Sequence, residues 1–203
     1  MTGRATRPVP LATDDAAVIE ASFSEPERFA SLFDRHAPHI HRYLARRVGR
    51  QAADDLVAET FLAAFGKRGA YDPGFRDARP WLYGIATNLV GRHRREEVRQ
   101  FRLSQAAGPD PVQSDYSERT VVNLTAQSIR AVLADALSGL AEPDRDVLLL
   151  IAWEQLSYEE VARALGIPVG TVRSRLHRAR TKVRQALAST PAAATYEEIL
   201  TNE

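Results

Sequence analysis

The sequence predicts an all-α protein made of two small helical domains joined by a flexible linker, and three observations carry that prediction. Apolar residues recur at three- and four-residue intervals through most of the chain, whereas the strict alternation of a half-buried strand is nearly absent. Between Gln100 and Gln127 the period weakens and the stretch GPDPVQSD has the composition of a linker. The 203 residues, 44% hydrophobic and 26% charged, suffice for one or two globular domains and are too apolar for disorder throughout.

Taken in order, residues 1–26 carry no sustained period and are expected to be a flexible extension. The first domain is expected over 27–99. Phe29, Leu32, Phe33, His36, Ile40, Tyr43, Leu44 and Val48 fall on one helical stripe. Leu56, Val57, Thr60, Phe61, Ala64 and Phe65 form a second, preceded by Asp54 and Asp55, whose charge suits a helix N-terminus. Tyr71–Arg79 (YDPGFRDAR) reads as a loop through its Pro73-Gly74 pair, and Pro80 fits the first turn of the next helix, where a missing N–H costs little. That helix carries Trp81, Leu82, Ile85, Ala86 and Leu89 inward. After a linker over 100–129, the pattern resumes with Val132, Leu133, Ala136, Leu137 and Leu140 in a second domain expected over 130–188. There Ser157 and Glu160 have the spacing of a capping box. Residues 189–203 are expected to be a loose tail.

Charge is segregated although the sum is small. With 27 Lys+Arg against 26 Asp+Glu the chain is formally +1, yet Val161 to Tyr196 holds seven basic residues and no acid. A second basic cluster, with five arginines, runs from Arg92 to Arg102. Two basic segments in a neutral chain suggest two contact points on a polyanion.

The sharpest motif is SYEEVARALGIPVGTVRSRLHRAR, Ser157 to Arg180. A helix-turn-helix needs a small residue where its helices cross, a turn residue tolerant of positive φ and an apolar residue on the second helix. Ala162, Gly166 and Val172 supply these. Val172, Leu176, Ala179, Val183 and Leu187 form the second helix's buried stripe. The other faces hold Thr171, Arg173, Ser174, Arg175, His177, Arg178, Arg180 and Lys182, which suits base and phosphate contacts in a major groove. A second constellation, WLYGIATNLVGRHRR, interleaves aromatics with Asn88 and the arginines Arg92, Arg94 and Arg95. Such a mixture suits single-stranded DNA, with rings stacking on bases and arginines holding the backbone.

Other classes lack their signatures. With no cysteine there is no disulfide scaffold, thiol nucleophile or thiolate metal site. HAPHIH gathers three histidines without carboxylate or cysteine companions, so neither a metal nor a cofactor is expected. No phosphate-binding loop, dinucleotide fingerprint or nucleophile elbow occurs, and no enzyme is expected. The longest uninterrupted apolar run, Val147 to Trp153, is seven residues. That is far short of the roughly 20 a membrane helix needs. The N-terminus has no apolar core of signal-peptide type, and a soluble cytoplasmic protein without membrane insertion is expected.

In this order the segments resemble the sigma-70 family of bacterial transcription initiation factors, and more narrowly its compact extracytoplasmic-function group. FASLFDRHAPHIHRYLARRV and DDLVAETFLAAF resemble the polymerase-binding part of sigma domain two. WLYGIATNLVGRHRR is similar to the part that opens and reads the minus-ten element, and the helix-turn-helix to sigma domain four, which reads the minus-thirty-five element. The resemblance implies that Asp54, Asp55, Leu56, Glu59, Thr60 and Phe61 dock on the clamp helices of the β′ subunit of core RNA polymerase. Ala58 stands where the family often has Gln. It further implies that Tyr71, Tyr83, Ile85 and Asn88 surround a pocket for a flipped minus-ten base, beside Arg92, Arg94 and Arg95. The 72–79 loop would set minus-ten preference. Arg173, Ser174, His177 and Arg178, with Thr171 and Arg180 beside them, would contact the minus-thirty-five duplex. Further implied are a contact with the β flap, melted as well as double-stranded promoter DNA, and an anti-sigma factor. The linker would thread toward the active-site and RNA-exit channels, its Asp110, Asp115 and Glu118 mimicking nucleic-acid charge. Two other readings remain open on residues alone: a free-standing helix-turn-helix regulator, and a sigma mimic that sequesters an anti-sigma factor.

Overall fold

The computed structural model describes residues 14–106 and 124–188. Residues 1–13, the linker acids Asp110, Asp115 and Glu118, and the 189–203 tail lie outside the described residues. Within these bounds there are eight α-helices and no strand: α1 (Asp15–Ala21), α2 (Ala30–Val48), α3 (Arg50–Gly66), α4 (Arg79–Ala106), α5 (Leu124–Ser138), α6 (Glu142–Ala152), α7 (Tyr158–Leu165) and α8 (Val169–Ala188). Two compact units divide within α4, near Arg92.

The first unit is built on an antiparallel pair, α2 against α3. Gly49, at φ +83°, ends α2 and turns the chain at once into α3, a backbone state that a residue with a Cβ resists. Leu32, Ile40 and Leu44 from α2 and Ala53 and Ala64 from α3 are fully enclosed, as the expected stripes require. The aromatic pairs Phe29–Phe65 and Phe33–Phe61 meet edge to face, with centroids 5.3 and 4.9 Å apart. Tyr43 joins α2 to α4. Its hydroxyl pairs with Thr87 Oγ1 at 2.8 Å and accepts a hydrogen bond from Arg47 at 2.7 Å.

Helical structure reaches past the expected domain bounds. Residues 14–26 are not a flexible extension. Asp14 caps α1 by accepting from the Ala16 amide, Ala16 and Ile19 are buried, and a 3-10 turn at Pro26–Phe29 leads into α2. Nor does the linker start at Gln100, because α4 continues to Ala106. At its far side α5 begins at Leu124 rather than at 130.

In the second unit α8 packs on α5 and α6. Val147, Leu149 and Leu150 from α6, Leu156 and Val161 around the start of α7, and Val172, Leu176 and Ala179 from α8 make its core. Pro143 sits in the first turn of α6, again where no N–H is needed.

Candidate functional site

On α3 the helical period decides which expected residues can meet a partner. Asp54 and Asp55 are exposed and Glu59 is half-buried at the edge of the same surface. Leu56, Thr60 and Phe61 point inward, on the stripe the period predicts, so the free chain does not bring them to this exposed face. Thr60 is fully enclosed and donates its hydroxyl to the Leu56 carbonyl at 2.6 Å, while Phe61 packs on Phe33. Leu62, absent from the sequence-based set, is 72% exposed. It follows Asp55 and Glu59 by seven and three positions, so the pattern already placed it on their face. This face therefore combines carboxylates with a bare leucine. Asp54 accepts from His41 Nε2 at 2.9 Å, and Glu59 is paired with Arg92 of α4.

On α4 the same period gathers Trp81, Ile85, Asn88, Arg92 and Arg95 on one side. Asn88, Arg92 and Arg95 are exposed, and Ile85 and Arg94 half-buried. Tyr83 lies on the other side, 1% exposed, its ring edge-on to Tyr43 at 5.3 Å. It is a core side chain, and the structure does not bring it to the face that holds Asn88. Tyr71 is also buried. Its ring lies 5.0 Å from Trp81 and its hydroxyl donates to the Phe75 carbonyl, closing the 72–79 loop from within. Burial, then the charges of Asp15, Asp77 and Asp14, push the Tyr71 phenol above its ordinary value, so it remains a donor. Asp72 Oδ1 accepts from the Gly74 amide and Asp77 Oδ1 from the Arg79 amide, both at 2.9 Å.

A residue outside every expected set organises this end of the unit. Asp15, 2% exposed, receives hydrogen bonds from Arg35, from His36 Nε2 at 2.8 Å and from the Ala78 amide at 2.9 Å. Its own amide donates to the Arg76 carbonyl at 2.9 Å. Burial alone would raise the Asp15 carboxyl. The bonds from His36 and Ala78, together with the His36 and Arg35 charges, outweigh it and hold the group below its ordinary value. Asp15, His36 and Asp77 could bring ligand atoms within 4.8 Å of one another. The donors already directed at Asp15, one of them a guanidinium, make this a poor cation site. The fit is that of a structural hub.

The second unit carries the helix-turn-helix as expected. The Ser157 amide donates to Glu160 Oε2 at 2.7 Å and the Glu160 amide to Ser157 Oγ at 3.2 Å, completing the capping box. Gly166 takes φ +64°, and the Ile167 amide returns to the Ala162 carbonyl at 3.0 Å. With Val172, Leu176 and Ala179 buried, Arg173, Ser174, His177 and Arg180 are exposed and Thr171 is half-buried. Arg178 is exposed as well, but it is paired within the chain. Its Nε and Nη2 clasp both oxygens of Asp144 on α6 at 3.0 and 2.8 Å, so it fastens α8 to the unit's core.

Among the described residues no helix is long and apolar enough to cross a membrane. A family model described as Sigma-70 region 2 matches residues 32–100, and one described as Sigma-70, region 4 matches residues 130–183. The chain is 36% identical over 165 residues to the RNA polymerase sigma factor CarQ of Myxococcus xanthus, spanning 79% of this chain and 90% of CarQ. It is 36% identical over 166 residues to the ECF RNA polymerase sigma factor SigE of Mycolicibacterium smegmatis, spanning 77% of this chain and 60% of SigE. Among solved structures, the sigma factor RpoE in complex with the anti-sigma factor NepR from Bartonella quintana aligns with a TM-score of 0.58 at 23% identity. That alignment covers 79% of this chain and 97% of the other, and it is a likeness of fold.

Proposed function

Because the chain belongs to the extracytoplasmic-function group of the sigma-70 family, we propose that it binds core RNA polymerase, selects a two-part promoter and stabilises the melted minus-ten strand. It catalyses no reaction itself and acts in the cytoplasm. The observation that carries the reading is the second helix of the helix-turn-helix. Its buried stripe leaves Arg173, Ser174, His177 and Arg180 outward on a helix that carries no acid of its own. These side chains take the minus-thirty-five duplex, Arg173 as a reader of guanine through O6 and N7. Trp81, Ile85, Asn88, Arg92 and Arg95 on α4 take the melted strand, with Phe75 and the 72–79 loop beside them. Extruding a base costs a few kcal/mol. A chain of net charge +1 meets that cost with the help of the docked polymerase. The α3 face, Asp54, Asp55, Glu59 and Leu62, takes the β′ clamp helices, and the second unit takes the β flap. An anti-sigma factor masks these surfaces.

The test is multi-round transcription with purified core polymerase on fragmented genomic DNA, mapping RNA 5′ ends with and without the chain. Discrete starts behind a shared two-part element are expected. Arg173→Ala should weaken recognition by about 1–3 kcal/mol on promoters carrying the matched minus-thirty-five base and less on others. An equal loss on every promoter reduces Arg173 to a phosphate contact. Neither transcripts nor core binding would sink the reading in favour of a free-standing regulator.

A further inference from the structure

The 72–79 loop is held from two sides. From within, Tyr71 bonds the Phe75 carbonyl, and from without, α1 bonds Arg76 and Ala78. Both outer bonds come from one residue, Asp15, whose side chain reaches across 63 positions of sequence to the Ala78 amide. That amide opens the first turn of α4, so the carboxylate also sits at the positive end of the 28-residue helix carrying Trp81, Ile85 and Asn88. Asp15 does not simply follow the loop. Arg35 and His36 of α2 hold it independently, in a site closed to solvent. The tip, Asp72 to Phe75, is held by its own turn, the Gly74 amide donating to Asp72 Oδ1 and the Phe75 amide to the Asp72 carbonyl.

We propose that Asp15 is a positioning residue for promoter recognition: by fixing Arg76 and Ala78 it sets the shape of the 72–79 loop, and so which minus-ten base that loop accepts. It touches no DNA. The inference rests on the functional reading above for the meaning of the loop, but the anchoring itself is a property of the free chain. The N-terminal helix thereby becomes part of the specificity apparatus, although it lies outside the 32–100 match to region 2.

Two measurements test it. Hydrogen exchange on the full chain reads the anchor directly: Asp15→Ala should speed exchange of the Arg76–Arg79 amides about tenfold, the loss of roughly one net hydrogen bond. Transcription by the holoenzyme from promoters randomised across the minus-ten element reads its consequence. Asp15→Ala should change the ranking of minus-ten bases while core binding stays as in the native chain. Asp15→Glu keeps the charge for Arg35 and His36 but moves the carboxylate by one methylene, so it too should shift the ranking, and it serves if Asp15→Ala does not fold. Ile40→Ala, a core truncation that also lowers stability, should lower output from all promoters alike and preserve the ranking. Unchanged loop exchange in the Asp15 variants overturns the inference, and so does a ranking that matches the Ile40→Ala control. A native chain that directs no transcription overturns the functional reading instead, and that failure is read from a different sample.

Discussion

A carboxylate taken out of water costs several kcal/mol unless its charge and its lone pairs are matched, and Asp15 has both matched by Arg35, His36 and the Ala78 amide. Its folded pKa lies below the ordinary aspartate value. The stabilisation is therefore complete above about pH 4, the unfolded value, and is lost as pH falls through the lower folded value. Thermal unfolding between pH 7 and pH 2 should show the first unit losing stability below about pH 4, and Asp15→Asn should flatten that limb. A parallel fall in both proteins would mean that other carboxylates carry it. At this scale the sequence showed which residue types were present better than which way they faced. Asn88, Arg173 and His177 stand outward as read. Leu56, Thr60, Phe61 and Tyr83 are buried, because a motif match assigns a position and not a helical phase. Phase was legible on α3, where Leu56, Thr60 and Phe61 fall on the predicted core stripe and Leu62 falls off it. Asp15 was not legible, since its partners lie 20, 21 and 63 positions away.

Elements were read more faithfully where local chemistry punctuates them. Ser157, Glu160 and Gly166 mark the ends of α7, and the structure gives each the role its residue type suggests. Gly166 has open space around the position of a Cβ, so Gly166→Ala meets no clash and pays only the left-handed backbone cost. That should be about 1 kcal/mol, seen as a lower melting temperature of the second unit with the first unit unchanged. A loss several times larger would mean that the turn is packed rather than merely bent. α1 was missed because seven residues whose only buried apolar side chains are Ala16 and Ile19 give too short a stripe to stand out. The far end of α4 was missed for the opposite reason. Arg99 to Ala106 contains no breaker, and helix formers continue a helix after the amphipathic pattern fades.

For the whole molecule, two units and an all-α build followed from periodicity plus one linker composition. The family followed from the order of the motifs, and the division of labour from where charge accumulates. The near-zero sum of charges conceals a surface that must hold a polyanion at two places. Here the clasp between Arg178 and Asp144 has a consequence for ionic strength. A free arginine that meets a phosphate releases a counterion from the DNA, and each such contact steepens the dependence of log K on log salt by about 0.9. In the free chain Arg178 is already paired with a carboxylate of its own chain. It should therefore contribute nothing to that slope while the clasp holds. Asp144→Asn, assayed as holoenzyme on a minus-thirty-five fragment across a salt series, should steepen the slope by about one unit as Arg178 is released. An unchanged slope would place Arg178 out of reach of phosphate altogether. On the reading proposed above, the acid at the start of α6 would limit how many ions the recognition helix displaces, and promoter binding would be less sensitive to the salt around it than a count of its arginines would suggest.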